Sequence, residues 1–384
     1  MRFAVLGDLH YEAQDTAIFE AARRQLLAQR PEAVVSLGDL GGYSHCGTAL
    51  SFTEGREYFS GFKVPFWALI GNHDLEGLDE FASDEDSVRG FTKAFALPAP
   101  WQAFDLGDAL GITLSSTRFR GNTGCPHEVF LGAEQLAWFE ATLERHRARP
   151  IFVFSHCPPL GSRLRVILNL HLNFANAWLD HNEEPARYLE IAKRHPQIRL
   201  WFSGHNHLGQ LYRDSLSQVG ACVFAHVGVM SRVTRDGSRM SRVVDHSGEN
   251  ILLYSLDHDT GQLIHDGSFD LERSELQRHV RPVELIGTAH PSAPRFEDIP
   301  HDLAIGDSVF YKCGETLVEY DRVLQDALGV VADHTKDRRV ILDGEQLFLS
   351  GTWGRRQACP RRPDGRFYRP LPFELPRRKK APEG

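Results

Sequence analysis

The sequence predicts a layered α/β domain of about 270 residues, followed by a smaller β-rich extension. Short runs rich in β-branched and aromatic residues alternate with longer amphipathic runs through that first part. Several of the short runs are apolar almost throughout, as expected for strands that are covered on both faces. The alternation stops near His279, where prolines at 282, 291, 294 and 300 follow within 19 residues. The composition therefore divides the chain in two.

Eight short runs in the first domain are predicted to be strands because of their β-branched and aromatic content. They are Arg2–Gly7, Ala33–Gly38, Phe66–Gly71, Gly111–Ser116, Ile151–Ser155, Arg199–Ser203, Cys222–Val227 and Asn250–Leu256. Three helices are predicted between them. The first has apolar residues at i, i+3 and i+4 spacing over 17–27 and ends before Pro31; the others cover Gly132–Arg147 and Pro185–Arg194. Asp257–Gly261 is predicted to form a hairpin turn.

Composition divides the whole chain into four parts. Residues 1–278 form the α/β domain, 279–302 a proline-rich linker and 303–352 a small β-rich region, either a small barrel or an extension docked on the first domain. Strand-like runs in that region are Ser308–Cys313, Gly329–Ala332, Arg339–Leu342 and Gln346–Leu349, with a helix-like run at Glu319–Leu328. Residues 353–384 form a basic, proline-rich tail that is not expected to pack, because 351–384 hold ten Lys and Arg against three acids.

Composition excludes several classes of protein. Apolar residues make up 42% and charged residues 24% of the 384, which is ordinary globular usage. No apolar run is long enough to span a membrane, so no membrane partner is expected. Six scattered cysteines without a CxxC pair, and no leader, predict a reducing, cytoplasmic location. A net charge of −8 argues against a uniformly basic protein, and 19 histidines direct attention to metal or acid–base chemistry.

Five short segments with metal-binding side chains each follow a predicted strand, the place where α/β sheets bind ligands. They are Gly7-Asp8-Leu9-His10, Gly38-Asp39-Leu40, Gly71-Asn72-His73-Asp74, Ser155-His156 and Gly204-His205-Asn206-His207. Each segment alone is more typical of a turn. Together, their carboxylate, amide and imidazole groups suit first-row metals, and about seven ligands are enough for two ions that share one carboxylate. Such a pair activates a water and neutralises a phosphoryl group.

This ordered set, D-x-H, GD, GNHD, H and GHxH, resembles the signature of the calcineurin-like metallophosphoesterase superfamily over roughly residues 1–270. The resemblance implies a four-layer αββα sandwich with a dinuclear metal site at the strand ends. By resemblance, Asp8, His10 and His207 hold one metal, Asn72, His156 and His205 hold the second, and Asp39 bridges them. His73 would protonate the leaving oxygen or steady the transition state, and Asp74 would orient His73.

The resemblance implies hydrolysis of a phosphoester by a metal-bridging hydroxide, with two divalent or trivalent ions as cofactors; manganese is expected, and iron or zinc would also fit. The segment Gly38–Tyr43 lacks the Asp and Arg of the protein phosphatase motif GDxVDRG, which favours a phosphodiester or a nucleotide as substrate. Arg118, Arg120, Arg163 and Arg165 are candidate phosphate clamps, although each alone is more typical of a surface residue. A nuclease whose basic tail binds nucleic acid, a phosphomonoesterase and a non-catalytic scaffold remain alternatives. The oligomeric state is not predicted.

Overall fold

The protein is described here by a computed structural model, which covers residues 1–164, 166, 171, 175–184, 187–211, 215–235 and 237–279 and the backbone of strands between 302 and 358. The chain forms two compact units. The first contains Met1–Arg165 and Ala175–Pro282, and the second contains Val166–Phe174 and Val283–Gly384. Among the described helices, none combines the length and the apolar character needed to cross a bilayer.

The first unit is built of thirteen described strands and five α-helices. The strands are β1 (Arg2–Leu6), β2 (Ala33–Ser36), β3 (Phe66–Ala68), β4 (Gln102–Leu106), β5 (Ala109–Leu114), β6 (Ile151–Ser155), β7 (Ile198–Ser203), β8 (Leu216–Val219), β9 (Cys222–His226), β10 (Met240–Ser247), β11 (Asn250–Asp257), β12 (Leu263–Asp270) and β13 (Glu275–Arg278). The helices are α1 (Thr16–Ala28), α2 (Ala49–Ser60), α3 (Asp84–Phe95), α4 (Ala133–Arg145) and α5 (Arg187–Arg194), with short 3-10 turns at Ala13–Asp15 and His73–Leu75.

These strands form two mixed sheets. The first has the order β13-β12-β11-β10-β1-β2-β3, in which β1, β2 and β3 run parallel. The second has the order β4-β5-β6-β7-β9-β8, in which β5, β6, β7 and β9 run parallel and the two outer strands run antiparallel. The carboxyl ends of the parallel strands within each sheet lie at one edge, which is the usual location of an active site in such sheets.

Three apolar layers separate four layers of secondary structure. The central layer lies between the sheets and is rich in aromatic residues, with Phe154 and Phe202 stacked at a centroid distance of 5.2 Å. A second layer joins the outer face of the first sheet to α1, α2 and α3, and a third joins the outer face of the second sheet to α4 and α5. The predicted αββα sandwich is therefore confirmed.

All eight predicted strands of the first unit are present, each to within three residues at either end. The hairpin turn at Asp257–Gly261 is also present, closed by the Gly261 N–H donating to the Asp257 carbonyl at 2.8 Å. Two predicted helices correspond to α1 and α4, and the third corresponds to α5, although Pro185 lies outside the described residues. The helices α2 and α3 and the strands β4, β8, β10 and β13 were not predicted, and β12 was implied only as the second strand of the hairpin at Asp257–Gly261.

The second unit contains two antiparallel sheets. One has the order β14-β15-β16-β17 and the other β18-β19-β20. These strands are β14 (Asp302–Ile305), β15 (Ser308–Cys313), β16 (Thr316–Asp321), β17 (Asp326–Asp333), β18 (Asp337–Asp343), β19 (Gln346–Gly351) and β20 (Arg356–Ala358). The four strand-like runs predicted here are confirmed.

Two predictions for this unit need correction. The helix expected at Glu319–Leu328 is wrong, because β16 and β17 occupy those residues as an antiparallel pair, in agreement with the β-forming residues Thr316, Val318 and Tyr320. The tail expected at 353–384 contains β20, which pairs with β19. The rest of that tail, and residues 280–301 of the expected linker, lie outside the described residues.

One buried histidine of the first unit serves the fold. His258 lies directly after β11, where its Nδ1 donates to Oε1 of Gln25 in α1 at 3.0 Å. Its Nε2 accepts from the hydroxyl of Ser241 in β10 at 2.7 Å. Burial lowers the pKa of His258 to about 3, so the imidazole is neutral in the folded protein and Nε2 can accept this hydrogen bond.

We predict that His258 makes the protein sensitive to mild acid. The unfolded state binds a proton near pH 6.5 while the folded imidazole stays neutral, so stability falls by about 1.4 kcal/mol per pH unit as the pH drops below 6.5. His258→Gln should be less stable at pH 7.5 but should lose less stability between pH 7.5 and 5.5. Urea unfolding at both values measures this, and an equal loss in the two proteins would contradict the neutral, buried imidazole.

Candidate metal centre

All seven predicted metal ligands lie together in the first unit, at the carboxyl ends of parallel strands. The first sheet supplies Asp8 and His10 after β1, Asp39 after β2 and Asn72 after β3. The second sheet supplies His156 after β6 and His205 and His207 after β7. Each of the seven is at most 4% exposed, although all are polar. Burial of so many polar side chains in one cluster requires compensating interactions.

The first group of ligands surrounds one point. His10 Nε2 lies 3.1 Å from His207 Nε2, and His207 Nε2 lies 3.3 Å from Oδ1 of Asp8. Asp8, His10, Asp39 and His207 each offer one ligand atom, and these atoms lie within 4.8 Å of one another. Nitrogen and oxygen atoms this close together are donors of the kind that a first-row metal ion takes.

The second group is arranged around His156. Its Nε2 lies 2.9 Å from Oδ1 of Asn72 and 3.1 Å from Nδ1 of His205. The same Nε2 lies 3.2 Å from Oδ2 of Asp39. Because Oδ2 of Asp39 is also 3.8 Å from His10 Nε2, this single carboxylate oxygen lies between the two groups.

Hydrogen bonds behind the ligands fix their orientation. His156 donates from Nδ1 to the Leu37 carbonyl at 2.8 Å, and His10 donates from Nδ1 to the Gly41 carbonyl at 3.3 Å. In both rings Nε2 is then the nitrogen directed at the cluster. The His205 N–H donates to both oxygens of Asp8, at 3.0 and 2.9 Å, and so holds that carboxylate in place.

The backbone at the ligands is strained. His10, Asp39, His205 and His207 all have positive φ, at 42°, 49°, 70° and 50°. This region is sparsely populated by residues other than glycine and is concentrated at functional sites. Glycines supply the space that the carboxylates need, since a Cβ on Gly71 would overlap Asp39 Oδ1 and a Cβ on Gly204 would lie 2.5 Å from Asp8 Oδ2.

The electrostatics favour charged carboxylates next to imidazoles. Burial alone would raise the pKa of Asp8 and Asp39, but the neighbouring histidines lower both below the ordinary value. Burial also lowers the pKa of His10 to about 3, whereas Asp39 overcomes burial and raises that of His156 to about 9. Two ionised carboxylates are thus held in a buried site, where cations would be strongly attracted.

The residues present fit a pair of metal ions. Oδ1 of Asp39 accepts a hydrogen bond from the His73 N–H at 2.9 Å, but Oδ2 accepts no directed hydrogen bond although it is buried. A buried carboxylate oxygen without a donor is costly unless a cation binds it. The full set of two Asp, one Asn and four His offers oxygen and nitrogen donors of the kind that Mn, Fe and Zn accept.

Asp74 contacts backbone groups rather than the His73 ring that it is predicted to orient. Its buried carboxylate accepts hydrogen bonds from the backbone N–H groups of Asp39, Leu40 and Gly71, each at 2.8 Å. These contacts tie the loop after β2 to the loop after β3. The expected contact with the His73 ring is not made, so the structure differs from the prediction: Asp74 organises the backbone that carries Asp39.

The carboxylate next to His73 belongs to Glu76, which the sequence did not single out. Glu76 Oε1 lies 2.7 Å from Nδ1 of His73 and 2.7 Å from Nδ1 of His127. Cys46 donates from Sγ to Oε2 of Glu76 at 3.5 Å. Burial disfavours charge on His73, but Asp39, Cys46 and Glu76 raise its pKa to about 12.

Two further residues at the centre were also missed. The Tyr43 side chain is 55% exposed, yet its ring centroid lies 5.1 Å from that of His10 and 5.3 Å from that of His73. The N–H of Arg235 donates to the His207 carbonyl at 2.9 Å. Burial lowers the pKa of the Arg235 guanidinium, and the neighbouring Tyr43 and Asp8 act in the opposite direction. An aromatic ring and a cation therefore flank the ligands.

Two of the four arginines proposed as phosphate clamps have other partners. Arg118 lies over the Phe130 ring and pairs with Glu183, and Arg120 donates to the carbonyls of Leu78 and Phe81. Arg163 has a positive φ of 62°. Arg165 lies outside the described residues.

Comparison with known proteins agrees with the geometry. A model of the calcineurin-like phosphoesterase family matches residues 1–209, more than half of the chain. No curated protein sequence matches. Similar solved structures include a purple acid phosphatase (PPD1) from yellow lupin, with 14% identity over 76% of this chain and a TM-score of 0.49. This chain spans 57% of the length of that phosphatase.

This chain matches two other solved structures over a larger share of their length. GAP50, described as the anchor in the inner membrane complex of Plasmodium, shares 14% identity over 73% of this chain and 89% of its own, with a TM-score of 0.47. TT1561 of Thermus thermophilus shares 12% identity over 73% of this chain and 99% of its own, with a TM-score of 0.42.

We predict that Asp39→Asn will lose more than about 100-fold in affinity for Mn²⁺, beyond the 10- to 100-fold that follows loss of an outer hydrogen-bond partner. The amide removes a charge and the oxygen that lies between the two ligand groups. Isothermal titration and elemental analysis after gel filtration measure the effect. The matched control is Asp180→Asn, because Asp180 is a buried carboxylate held by the Leu131 N–H and the Tyr188 hydroxyl. Equal metal binding by both variants would contradict the assignment.

Proposed function

The chain belongs to the calcineurin-like phosphoesterase family, and on this basis we propose that it hydrolyses a phosphoester bond with the help of two metal ions. The observation that carries the proposal is the complete set of seven buried ligands around the unsatisfied Asp39 Oδ2. A non-catalytic relative that kept the fold for binding alone would have no need of a full ligand set.

The proposed distribution of ligands follows the two groups. Asp8, His10 and His207 would hold one ion. Asn72, His156 and His205 would hold the other, with Asp39 shared. When bound, such ions would supply an activated water and neutralise charge on the phosphoryl group. Asp74 would act only on the backbone, by keeping the Asp39 loop in position.

His73 is the proposed proton donor to the leaving oxygen. Its backbone N–H is bonded to Asp39, and its ring lies edge-on to His10 with a centroid distance of 5.5 Å. An imidazole that borders the ligand cluster without being one of the ligands can give up a proton to a substrate oxygen, a contribution of about 10²- to 10⁴-fold.

The proposed substrate class is a phosphodiester or a nucleotide. Tyr43 and Arg235 support it, because an exposed aromatic ring suits a planar base or aromatic ester group and a guanidinium suits a phosphate oxygen. The nuclease and phosphomonoesterase alternatives predict different preferred substrates. A hydrolysis assay with several substrates therefore distinguishes them.

We predict that the protein loaded with Mn²⁺ will hydrolyse bis-p-nitrophenyl phosphate and nucleoside phosphodiesters faster than p-nitrophenyl phosphate. The panel should also contain cyclic nucleotides and short DNA, with release of product followed by absorbance or chromatography. Activity should disappear with a chelator and return with metal. Faster turnover of the monoester would overturn the diesterase proposal, preference for DNA would favour the nuclease, and failure with every substrate despite bound metal would favour the scaffold.

We also predict that Tyr43→Ala will raise KM for nucleoside phosphodiesters about 10-fold, since stacking of a base on an aromatic ring is worth about 1–3 kcal/mol. Tyr43→Phe should keep the wild-type KM because it keeps the ring. Leu50→Ala is the matched control, since Leu50 is equally exposed at 56% on α2. If Tyr43→Phe and Tyr43→Ala raise KM by the same amount, the ring is not a stacking platform.

A further inference from the structure

We propose that Glu76 is a positioning residue that fixes the ring of His73 for proton transfer. This inference rests on the proposed function, since it assigns Glu76 to the same site. The direct observation is the 2.7 Å separation between Glu76 Oε1 and His73 Nδ1. A carboxylate against Nδ1 holds that edge of the ring in place and leaves the opposite edge, with Nε2, for the substrate.

The local fold brings the two side chains together. His73–Leu75 form a 3-10 turn directly after Asn72, and the Glu76 N–H donates to the His73 carbonyl at 3.2 Å. In a 3-10 turn the side chains at i and i+3 lie on the same side, so Glu76 lies beside His73. The same turn carries Asn72 toward the metal ligands, and the pairing is therefore built into the segment that supplies a ligand.

Glu76 is itself held from two other parts of the first unit. Nδ1 of His127 lies 2.7 Å from the same Oε1, and Cys46 donates from Sγ to Oε2 at 3.5 Å. The His127 ring packs edge-on against Phe119 with a centroid distance of 5.5 Å. A carboxylate with this many contacts has few alternative rotamers, so it can hold the imidazole at a fixed angle.

The position of the His73 ring supports the same role. His10 and Tyr43 pack against it, with ring centroids at 5.5 and 5.3 Å, and Glu76 occupies the Nδ1 edge. The Glu76 side chain is 18% exposed and that of His73 is 20% exposed, so water weakens the pairing only in part. Asp74 cannot substitute, because its two oxygens accept three backbone N–H groups.

A cation site is the rival explanation of this cluster. One ligand atom each from Cys46, His73 and Glu76 lies within 4.8 Å of the others. The two nitrogen–oxygen separations of 2.7 Å are, however, those of ion pairs, which an imidazolium and a carboxylate form without a metal. Turnover and metal content, measured on the same variants, distinguish the two explanations.

The test compares Glu76→Gln, His73→Ala and the double variant, all as the full chain loaded with Mn²⁺. Two phosphodiesters that differ only in the leaving group are used, one with p-nitrophenol and one with an alkyl alcohol. We expect Glu76→Gln to lower kcat about 10- to 100-fold for the alkyl leaving group, as loss of an orienting partner typically does, and less for p-nitrophenol, which leaves without help. In the His73→Ala background, Glu76→Gln should have no further effect.

The matched control is Glu54→Gln. Glu54 Oε2 lies 2.7 Å from Nε2 of His45, so this variant also removes the charge from a glutamate paired with a histidine, but not from the partner of His73. Its kcat should remain at the wild-type value for both substrates. Elemental analysis should give the same metal content for the wild type and all single variants; loss of bound metal from Glu76→Gln would overturn the positioning role in favour of a cation site.

A second measurement does not depend on turnover. The ¹⁵N chemical shifts of the His73 imidazole should differ between the wild-type protein and Glu76→Gln, because the charged carboxylate contacts Nδ1 only in the wild type. An unchanged spectrum would overturn the proposal whatever the activity. Absence of all phosphoesterase activity from the wild type would instead overturn the proposed function, while the spectrum still reported whether Glu76 orients the ring.

Discussion

Two buried carboxylates and four imidazoles stabilise one another where the two sheets meet. Much of the first unit holds these side chains in position. The surrounding histidines lower the pKa of Asp8 and Asp39 although burial acts to raise it. The Asp39 carboxylate has the larger structural role, because one oxygen is held by the His73 N–H and the other lies between the two ligand groups. The parallel strands bring these loops together, and Asp74 ties two of them through their backbones.

The ligands could be predicted from sequence because each shortly follows a predicted strand that ends in Gly or Ser, and the order of the five segments is distinctive. The strands themselves were predictable because burial on both faces makes them apolar. By contrast, Glu76, Tyr43 and Arg235 are single residues of common types. Their contacts depend on how the 3-10 turn at His73–Leu75 and distant loops pack, which no local pattern encodes. Asp74 was correctly located in its motif, but its partners are backbone groups that a sequence motif does not reveal.

The missed secondary structure has similar causes. α2 contains Gly55 in its interior, which weakens a helical pattern, although Thr48 accepts a capping hydrogen bond from the Ser51 N–H. α3 begins after Ser83, which caps it by accepting from the Asp86 N–H, a signal that could have been found. In the second unit, pairing with neighbouring strands outweighed the helical spacing seen at Glu319–Leu328. The histidine count was only a partial guide, since His258 fastens α1 to the first sheet.

The positive φ of four ligands limits which amino acids can occupy these positions during evolution. Aspartate, asparagine, histidine and glycine tolerate such a backbone far better than β-branched or bulky residues do. Histidine and aspartate at His10, Asp39, His205 and His207 therefore satisfy the chain conformation and the chemistry at once. A lineage that drifts toward a new substrate or a new metal would have to keep these four positions and vary their surroundings. The same centre can thus persist while the residues at its mouth, such as Tyr43 and Arg235, diverge freely.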